Sequence, residues 1–468
     1  MKGIFAAKGV FAPRWAIPVL PVLAALGPYA FPLTVAGINL YAFRMLIVVM
    51  AVFSTPLTSG SGWWFNKLAR WAVLLGVVWL CYGMLSLLWA PDLANAAADL
   101  ISIGFGFALV LVLFNVRAYE SQHLQLLRIG WVMAFVVTAA VALWELVTGQ
   151  HLYSAVYESR ELYFDGTVVQ STLGRPDQYG QFLLLATPFL LWSFYRAKGP
   201  AKLIYGFLVA AAGILVLFTA SRLSFLGFAA ELLVLVFIVD RRWHVIMLGL
   251  VGVALGFFWW SNVFLSSDIR LASKFGSALS ETEDGSIAKR FALTMNGIWM
   301  VYDTAGLGVG AAGFRQYLAD HDVPFAKGTN PEGYFAHNWW IQLASEYGIL
   351  VTSGLLGLLV FIGLLAFRAK RAGAPPELRR LAIVTLVGLV GYLFYGVVTG
   401  TSVRQPVHWM FFASLVVMAA HLYQAQAAFY RVRRAANRGR SLGPALAAPR
   451  MRPGTVGRDA ASPGRILP

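Results

Sequence analysis

Long apolar runs separated by short polar connections fill most of the chain. The runs are continuous and lack the alternation of apolar and polar positions that is typical of strands. About 20 apolar residues are enough to cross a bilayer as a helix, and a helix satisfies its own backbone hydrogen bonds in lipid. The pattern therefore predicts an all-α polytopic membrane protein. We predict about twelve spans, at residues 16–33, 39–55, 71–90, 99–115, 126–146, 178–195, 202–218, 223–239, 243–264, 338–366, 381–399 and 407–425.

Polar stretches divide the chain into four regions. Residues 1–264 contain spans one to nine and a loop near 147–177. Residues 265–337 form a large loop between spans nine and ten, which we predict to be a small helical lid. Residues 338–426 contain the last three spans, and residues 427–468 form a basic tail that we predict to be disordered.

Basic residues set the predicted orientation. Hydrophobic residues make up 59% of the chain and charged residues 12%, with a formal net charge of +16. Short loops rich in Lys and Arg remain in the cytoplasm. The tail and the loops on one side hold most of these residues, so that side is predicted to be cytoplasmic and to attract anionic phospholipids. Because topology explains the charge, nucleic-acid binding is not required. The loop clusters are Lys2, Lys8 and Arg14; Lys67 and Arg70; Arg117 and Arg128; Arg196, Lys198 and Lys202; Arg241 and Arg242; and Arg368, Lys370, Arg371, Arg379 and Arg380.

The lid sequence combines a helical pattern with a glycine-rich run. Apolar residues at helical spacing predict an amphipathic helix, with Phe291, Met295, Ile298 and Tyr302 on one face. Residues 306–314 are rich in glycine, but no strand precedes them, so we predict tight turns and not a nucleotide-phosphate loop. We expect no internal repeats and no interrupted spans, both of which are typical of transporters.

Several arginines lie on the predicted outer face, although basic residues generally favour the cytoplasmic loops. Almost no loop separates spans seven and eight, so Arg222 must lie at the membrane boundary, where ionisable groups are often functional. Each arginine also has a structural explanation. Arg222 could extend its side chain to the lipid headgroups or pair with a carboxylate, Arg175 could pair with Asp177, and Arg290 could lie on a solvated face of the lid. Several guanidinium groups at one membrane surface suit a diphosphate, because they bind phosphate oxygens bidentately. The outer cations are Arg44, Arg160, Arg175, Arg222, Arg270, Lys274, Lys289, Arg290, Arg315, Lys327 and Arg404.

The histidine at His337 stands where the lid ends and the tenth span begins. A simple explanation is an interfacial anchor, with Asn338 capping the helix and two tryptophans forming an aromatic belt. That explanation leaves out the polar series Asn338, Gln342, Ser345 and Glu346, which should face the bundle interior or a cavity. A neutral imidazole beside such a cavity is the best candidate in the chain for a general base. We assign substrate binding to Asn338, Gln342, Arg175, Arg404 and Arg44, and we predict no metal and no cofactor.

Three segments resemble the O-antigen ligase and polymerase superfamily. Residues 336–348 are similar to its signature, a histidine followed by Asn and then by Leu, Glu and Gly. Residues 219–222 resemble its Ser-Arg element, and residues 308–314 resemble its glycine-rich segment ending in Phe. This resemblance implies a GT-C-like glycosyltransferase of the inner membrane, with its active site in the periplasm. The family's essential histidine falls on His337 and its essential arginines on Arg222 and Arg290, with Arg175 as a looser match.

The resemblance also implies the substrates. The donor would be O-antigen linked to undecaprenyl diphosphate, and in the ligase the acceptor is a sugar of lipid A-core. We expect a direct, inverting displacement in which His337 deprotonates the acceptor hydroxyl and arginines stabilise the departing diphosphate. Three alternatives remain: an O-antigen polymerase, a protein O-oligosaccharyltransferase, and, from a different class, a flippase or transporter of lipid-linked glycans.

Overall fold

A computed structural model of the chain describes residues 15–29, 32–35, 38–53, 67–115, 121–152, 168–238, 285–321, 323–325, 336–371, 374–398 and 402–441. Helices dominate these residues. They are α1 (Ala16–Leu26), α2 (Ala42–Phe53), α3 (Lys67–Ser86), α4 (Leu93–Asn115), α5 (Ser121–Thr148), α6 (Pro176–Arg196), α7 (Pro200–Phe218), α8 (Arg222–Ile238), α9 (Gly285–Asp303), α10 (Phe314–Asp320), α11 (Trp339–Arg371), α12 (Pro376–Val398) and α13 (Pro406–Ser441).

Seven of the described helices are long and apolar enough to cross a membrane, namely α3, α4, α5, α7, α11, α12 and α13. This finding confirms a helical, multi-pass membrane protein. Helices α6 and α8 coincide with the predicted sixth and eighth spans but are not among the seven. The predicted ninth span, at residues 243–264, lies outside the described residues.

The first two predicted spans are shorter helices than the sequence suggested. Helix α1 has 11 residues and is about 16 Å long, because the chain turns at Gly27, which has a φ of 71°. Two short strands, β1 (Leu33–Val35) and β2 (Ile38–Leu40), then pair antiparallel before α2 begins. The prediction of an all-α chain therefore missed a small β-hairpin between the first two helices.

Helix α6 lies inside the bundle and not against lipid. Every residue from 179 to 193 is buried, and the helix contacts α5, α7, α8 and α12. Its amino-terminal turns carry Asp177, Gln178 and Gln181, which a lipid-facing helix would not tolerate. The polar residues of α6 are thus explained by its position inside the bundle, with its first turn at one end of the bundle.

Helix α11 is interrupted at Gly348, which has a φ of 74° and a ψ of 177°. The expectation of uninterrupted spans is therefore wrong. The break separates a short segment (residues 339–347) from a long segment (residues 349–371). Only glycine adopts this backbone conformation readily, which explains the residue at this position.

The two segments of α11 run in different directions. The indole Nε1 of Trp340 donates a 3.0 Å hydrogen bond to the carbonyl of Leu393, whereas Gly363 lies against Leu389. Leu389 and Leu393 are one turn apart on α12, but a straight helix would separate Trp340 from Gly363 by roughly 34 Å. The short segment therefore lies across the Val398 end of α12, at one end of the bundle.

The lid has a small core of its own. Helices α9 and α10 and the glycine-rich segment between them bury Leu293, Met300, Val309, Phe314, Leu318 and Ala336 together. Ala336 is the residue before His337. The lid core therefore fixes the backbone from which the predicted catalytic histidine projects.

The last helix continues past its predicted end. Helix α13 begins at Pro406 and runs through Ser441. The prediction of disorder from residue 427 is wrong as far as Ser441, because the basic segment extends the helix. Residues 442–468 lie outside the described residues.

Candidate active site

His337 has a strained backbone at the start of α11. Its φ is 47°, in the left-handed region that non-glycine residues rarely adopt, although histidine is among those enriched there. Such a conformation costs about 1–3 kcal/mol and occurs preferentially at functional sites. The imidazole is half-buried, so it is reachable from the end of the bundle.

Charged groups from the lid and from the start of α6 lie close enough to this imidazole to shift its pKa. Burial, together with the positive charges of Arg290 and Arg175, lowers the pKa of His337 from 6.5 to about 4, and the negative charge of Asp177 opposes this shift. The imidazole is therefore neutral at physiological pH. A neutral ring nitrogen beside two guanidinium groups has a free lone pair that accepts a proton. The structure thus brings together three of the predicted site residues.

Arg175 is held by its own helix. Its guanidinium makes a bidentate pair with Asp177, with Nε–Oδ1 at 3.0 Å and a terminal nitrogen to Oδ2 at 2.9 Å. The pairing that the sequence offered as an alternative is therefore real. Asp177 fixes the orientation of a guanidinium that remains partly exposed. Gly174, with a φ of 72°, turns the chain into α6 just before it.

A buried carboxylate that the sequence analysis missed holds the segment preceding Arg175. Glu145 Oε2, at the end of α5, accepts hydrogen bonds from the backbone nitrogens of Gln170 and Ser171 at 2.9 and 2.8 Å. His151 lies 3.3 Å from the other carboxylate oxygen. The signal in the sequence was an ionisable residue near the end of an apolar run. The hydrogen bonds of Glu145 hold the backbone of Gln170 and Ser171, a few residues before Arg175.

Arg222 begins α8 beside the amino-terminal end of α6. Gly180 of α6 packs directly against the hydroxyls of Thr219 and Ser224, and Ser221 and Ser224 are joined by a 2.8 Å hydrogen bond. The absence of a side chain at Gly180 permits this close approach. Arg222 therefore lies on the same end of the bundle as Arg175, as expected for two donors that bind one anionic group.

Arg290 is an exposed residue near the start of α9. The helix packs against the short segment of α11, with Gly297 of α9 in contact with Ile341. This contact brings the amino-terminal part of α9 to His337, consistent with the effect of Arg290 on the imidazole pKa. Lid and bundle thus each supply one of the two cations near the histidine.

Asn338 and Gln342 have mainly structural hydrogen bonds. The Asn338 side chain caps the short segment by accepting from the backbone nitrogens of Trp340 and Ile341 at 3.1 and 3.4 Å, as predicted. Gln342 Nε2 donates to Glu346 at 2.9 Å, and both are buried. The predicted aromatic belt is only half right, because Trp339 is buried inside the bundle.

The glycine-rich segment covers the polar side of the short segment. It makes tight turns, as predicted, with positive φ at Gly306, Gly308 and Gly310. Its backbone pairs with the groups that the break in α11 leaves free, so protein occupies much of the space where a cavity was expected. The bonds run from Val309 N to Ser345 O at 2.7 Å, from Gly310 N to Glu346 O at 3.1 Å and from Ile349 N to Gly306 O at 2.9 Å.

Two predicted substrate-binding arginines, Arg44 and Arg404, contact α4. Arg44 is buried and donates to Ser102 at 2.7 Å and to the Asn39 carbonyl at 3.0 Å. Arg404 pairs with Asp99 and donates to Asn95 at 3.0 Å. These arginines tie α2 and the start of α13 to α4, and we do not include them in the proposed site.

Within the described ranges, no group of three His, Cys, Asp or Glu side chains could hold a metal ion. His321, from the triplet at residues 320–322, is exposed and stacks on Tyr317 at 3.8 Å between ring centroids. Asp322 lies outside the described residues. Proton transfer and charge stabilisation are what the described side chains at this site offer.

Comparison with known proteins agrees with the motifs. Residues 206–362 match a family described as O-Antigen ligase, a range that includes Arg222, Arg290 and His337. The chain is also similar to teichuronic acid biosynthesis protein TuaE of Bacillus subtilis (strain 168), with 22% identity over 366 residues, covering 77% of this chain and 73% of the relative. The superfamily resemblance is thereby confirmed.

Proposed function

We propose that this chain, which carries an O-antigen ligase family domain over residues 206–362, is an O-antigen ligase. It transfers a glycan from undecaprenyl diphosphate to a sugar hydroxyl of lipid A-core. The observation that carries the proposal is a neutral histidine, His337, flanked by the guanidinium groups of Arg290 and Arg175 at one end of a membrane bundle. A neutral base beside cations at a membrane surface suits group transfer from an anionic lipid carrier.

The arginines receive the donor. A diphosphate presents several anionic oxygens at the membrane surface, and Arg175, Arg222 and Arg290 approach that surface from α6, α8 and the lid. Guanidinium groups bind such oxygens with two parallel hydrogen bonds. As the bond to the anomeric carbon breaks, negative charge grows on the diphosphate, and these cations stabilise it.

His337 receives the proton. The acceptor oxygen attacks the anomeric carbon as the carbon–oxygen bond to the diphosphate breaks, and the hydroxyl proton moves to a ring nitrogen of His337. A single displacement inverts the anomeric centre. In the free protein a pKa of about 4 makes His337 a weak base. The incoming diphosphate neutralises Arg290 and Arg175 and so raises the pKa of His337, which links base strength to donor binding.

The proposed placement follows the basic residues. We assign the basic loops to the cytoplasm, where they contact anionic phospholipids, and the lid with His337 to the periplasmic face of the inner membrane. The prediction of about twelve spans requires α6, α8, a ninth span at residues 243–264 and two crossings around the short helices α1 and α2, in addition to the seven long apolar helices. The donor headgroup then lies at the level of the short segment of α11.

Reconstitution tests the proposal. The purified protein in proteoliposomes should join a glycan from an undecaprenyl-diphosphate donor to lipopolysaccharide that lacks O-antigen, at the same rate with and without a chelator. The product should carry an inverted linkage. Donor translocation without a new glycosidic bond would instead identify a transporter. Loss of activity with the chelator, restored by a divalent ion, would refute the metal-independent mechanism.

One observation favours a second candidate, an O-antigen polymerase. The relative from Bacillus subtilis is named for biosynthesis of teichuronic acid and not of lipopolysaccharide. A polymerase would use the same donor and the same His337, with a second lipid-linked glycan as acceptor. Supplying the donor alone separates the two, since only a polymerase forms longer lipid-linked chains.

A further inference from the structure

The outward face of the lid helix α9 is apolar. Phe291, Ile298 and Tyr302 lie on one side of the helix with exposed fractions of 65%, 47% and 84%, and Leu307 follows with 60%. The opposite side already packs on the lid core through Leu293 and Met300. We call Phe291, Ile298, Tyr302 and Leu307 the outer lid face.

This face is continuous with the side of α11 that faces lipid. Exposed apolar residues recur along the long segment of α11 at helical spacing, including Leu356, Val360 and Leu364. Ile349, also exposed, begins this stripe. Its backbone nitrogen donates a 2.9 Å hydrogen bond to Gly306, the residue before Leu307. The lipid-facing stripe therefore leads directly into the outer lid face.

The level of the membrane surface follows from the length of α11. Arg368 marks the basic end of the long segment. About 20 helical residues cross a hydrocarbon core of about 30 Å, and counting back from Arg368 reaches Gly348. The break in α11 therefore lies at the opposite hydrocarbon boundary. Since the short segment turns across the bundle end there, α9, which packs beside it, lies at the same boundary.

We propose that the outer lid face is a membrane-docking surface that inserts into the headgroup and acyl boundary of the outer leaflet. A helix in this position typically buries its apolar face by about 5–10 Å, and tyrosine is favoured at this depth. The occupant is bilayer phospholipid. Docking would hold the Arg290 end of α9 at the level of lipid headgroups. The outer leaflet follows from the proposed orientation of the chain, whereas the docking itself does not depend on the reaction catalysed.

Fluorescence quenching in vesicles tests the proposal. Cys81 is the single cysteine of the chain, so a Cys81→Ser background permits labelling at one chosen position. Ile298→Cys and Tyr302→Cys would carry an environment-sensitive fluorophore in vesicles of phosphatidylethanolamine and phosphatidylglycerol. Gln316→Cys, on the exposed side of α10, is the aqueous control, and Val360→Cys on α11 is the lipid control.

The expected result separates the two lid positions from the aqueous control. Lipids with a nitroxide near the headgroup should quench labels at 298 and 302 about two-fold or more beyond the label at 316, while iodide should quench mainly 316. Equal iodide quenching at 298, 302 and 316 would overturn the proposal. Protection from both quenchers that rises with protein density would indicate a second copy on this face and would also overturn it.

Discussion

The acid limit of catalysis is the prediction that follows most directly from the surroundings of His337. An ordinary histidine with a pKa of 6.5 would be largely protonated at pH 5.5, and a reaction that needs its neutral form would fall about eleven-fold there relative to pH 8. With a pKa of about 4, His337 stays neutral, and the fall at pH 5.5 should be only about 3%. Initial rates of glycan transfer at low donor concentration, measured from about pH 3.5 to pH 8, give kcat/KM as a function of pH and show where it begins to fall.

Bound donor should move the limit. The pH profile of kcat reports the complex with donor, in which the diphosphate charge raises the pKa of His337. The acid limb, the part of the profile where activity falls as the pH is lowered, should therefore lie at higher pH for kcat than for kcat/KM. Arg290→Gln removes a cation and should raise the pKa of His337 in the free protein, moving the kcat/KM limb toward neutrality. Arg315→Gln, on α10, is the matched control and should leave the limb in place. A wild-type kcat/KM limb near pH 6.5 would refute the reasoning.

Three further predictions concern stability and position. Gly348→Ala should destabilise the fold by about 2 kcal/mol or more, because residue 348 has a positive φ and its Cβ would lie 2.5 Å from the Gly306 carbonyl oxygen. The control is Gly357→Ala in the same helix, whose Cβ would meet nothing within 4 Å. This control should be neutral or stabilising in thermal unfolding. Below pH 6.5 the histidine of the unfolded chain binds a proton, whereas His337 in the folded protein stays neutral until about pH 4. Lowering the pH from 6.5 to 4 should therefore reduce the free energy of unfolding by up to about 3 kcal/mol, and the reduction should be smaller in the His337→Asn protein. Glu145→Ala should raise the KM for donor more than it lowers kcat, with partial rescue by Glu145→Gln; a pure loss of folded protein would contradict a positioning role.

Much of the fold was predictable because membrane helices are encoded by simple physical constraints. Continuous apolar length predicted the seven helices that are long enough to span a bilayer. It failed at α1 and α2, where a turn at Gly27 and a hairpin shorten the helices, because local turn geometry carries little weight in an apolar window. It also failed at Gly348, since one glycine in an apolar run resembles ordinary helix until a partner segment is known to fill the break.

The candidate site was predictable where chemistry and membrane position coincide. His337, Arg175 and Arg290 do come together, although the first lies before α11, the second before α6 and the third in the lid. Arg44 and Arg404 resembled them in sequence but pair with α4, because one chain does not reveal which buried acceptor an arginine will find. Glu145 was missed although it stands near the end of an apolar run, because the sequence does not reveal that its partners are the backbone nitrogens of Gln170 and Ser171.

Single-turnover transfer by a His337→Asn protein tests the central claim most directly. Asparagine tolerates the left-handed backbone and should preserve the fold, but its amide does not act as a base. With donor bound at saturation, the rate of glycosidic bond formation should fall about 100-fold to 10,000-fold, while donor affinity changes little. A folded His337→Asn protein that forms the glycosidic bond at the wild-type rate would contradict the assignment of His337 as the general base.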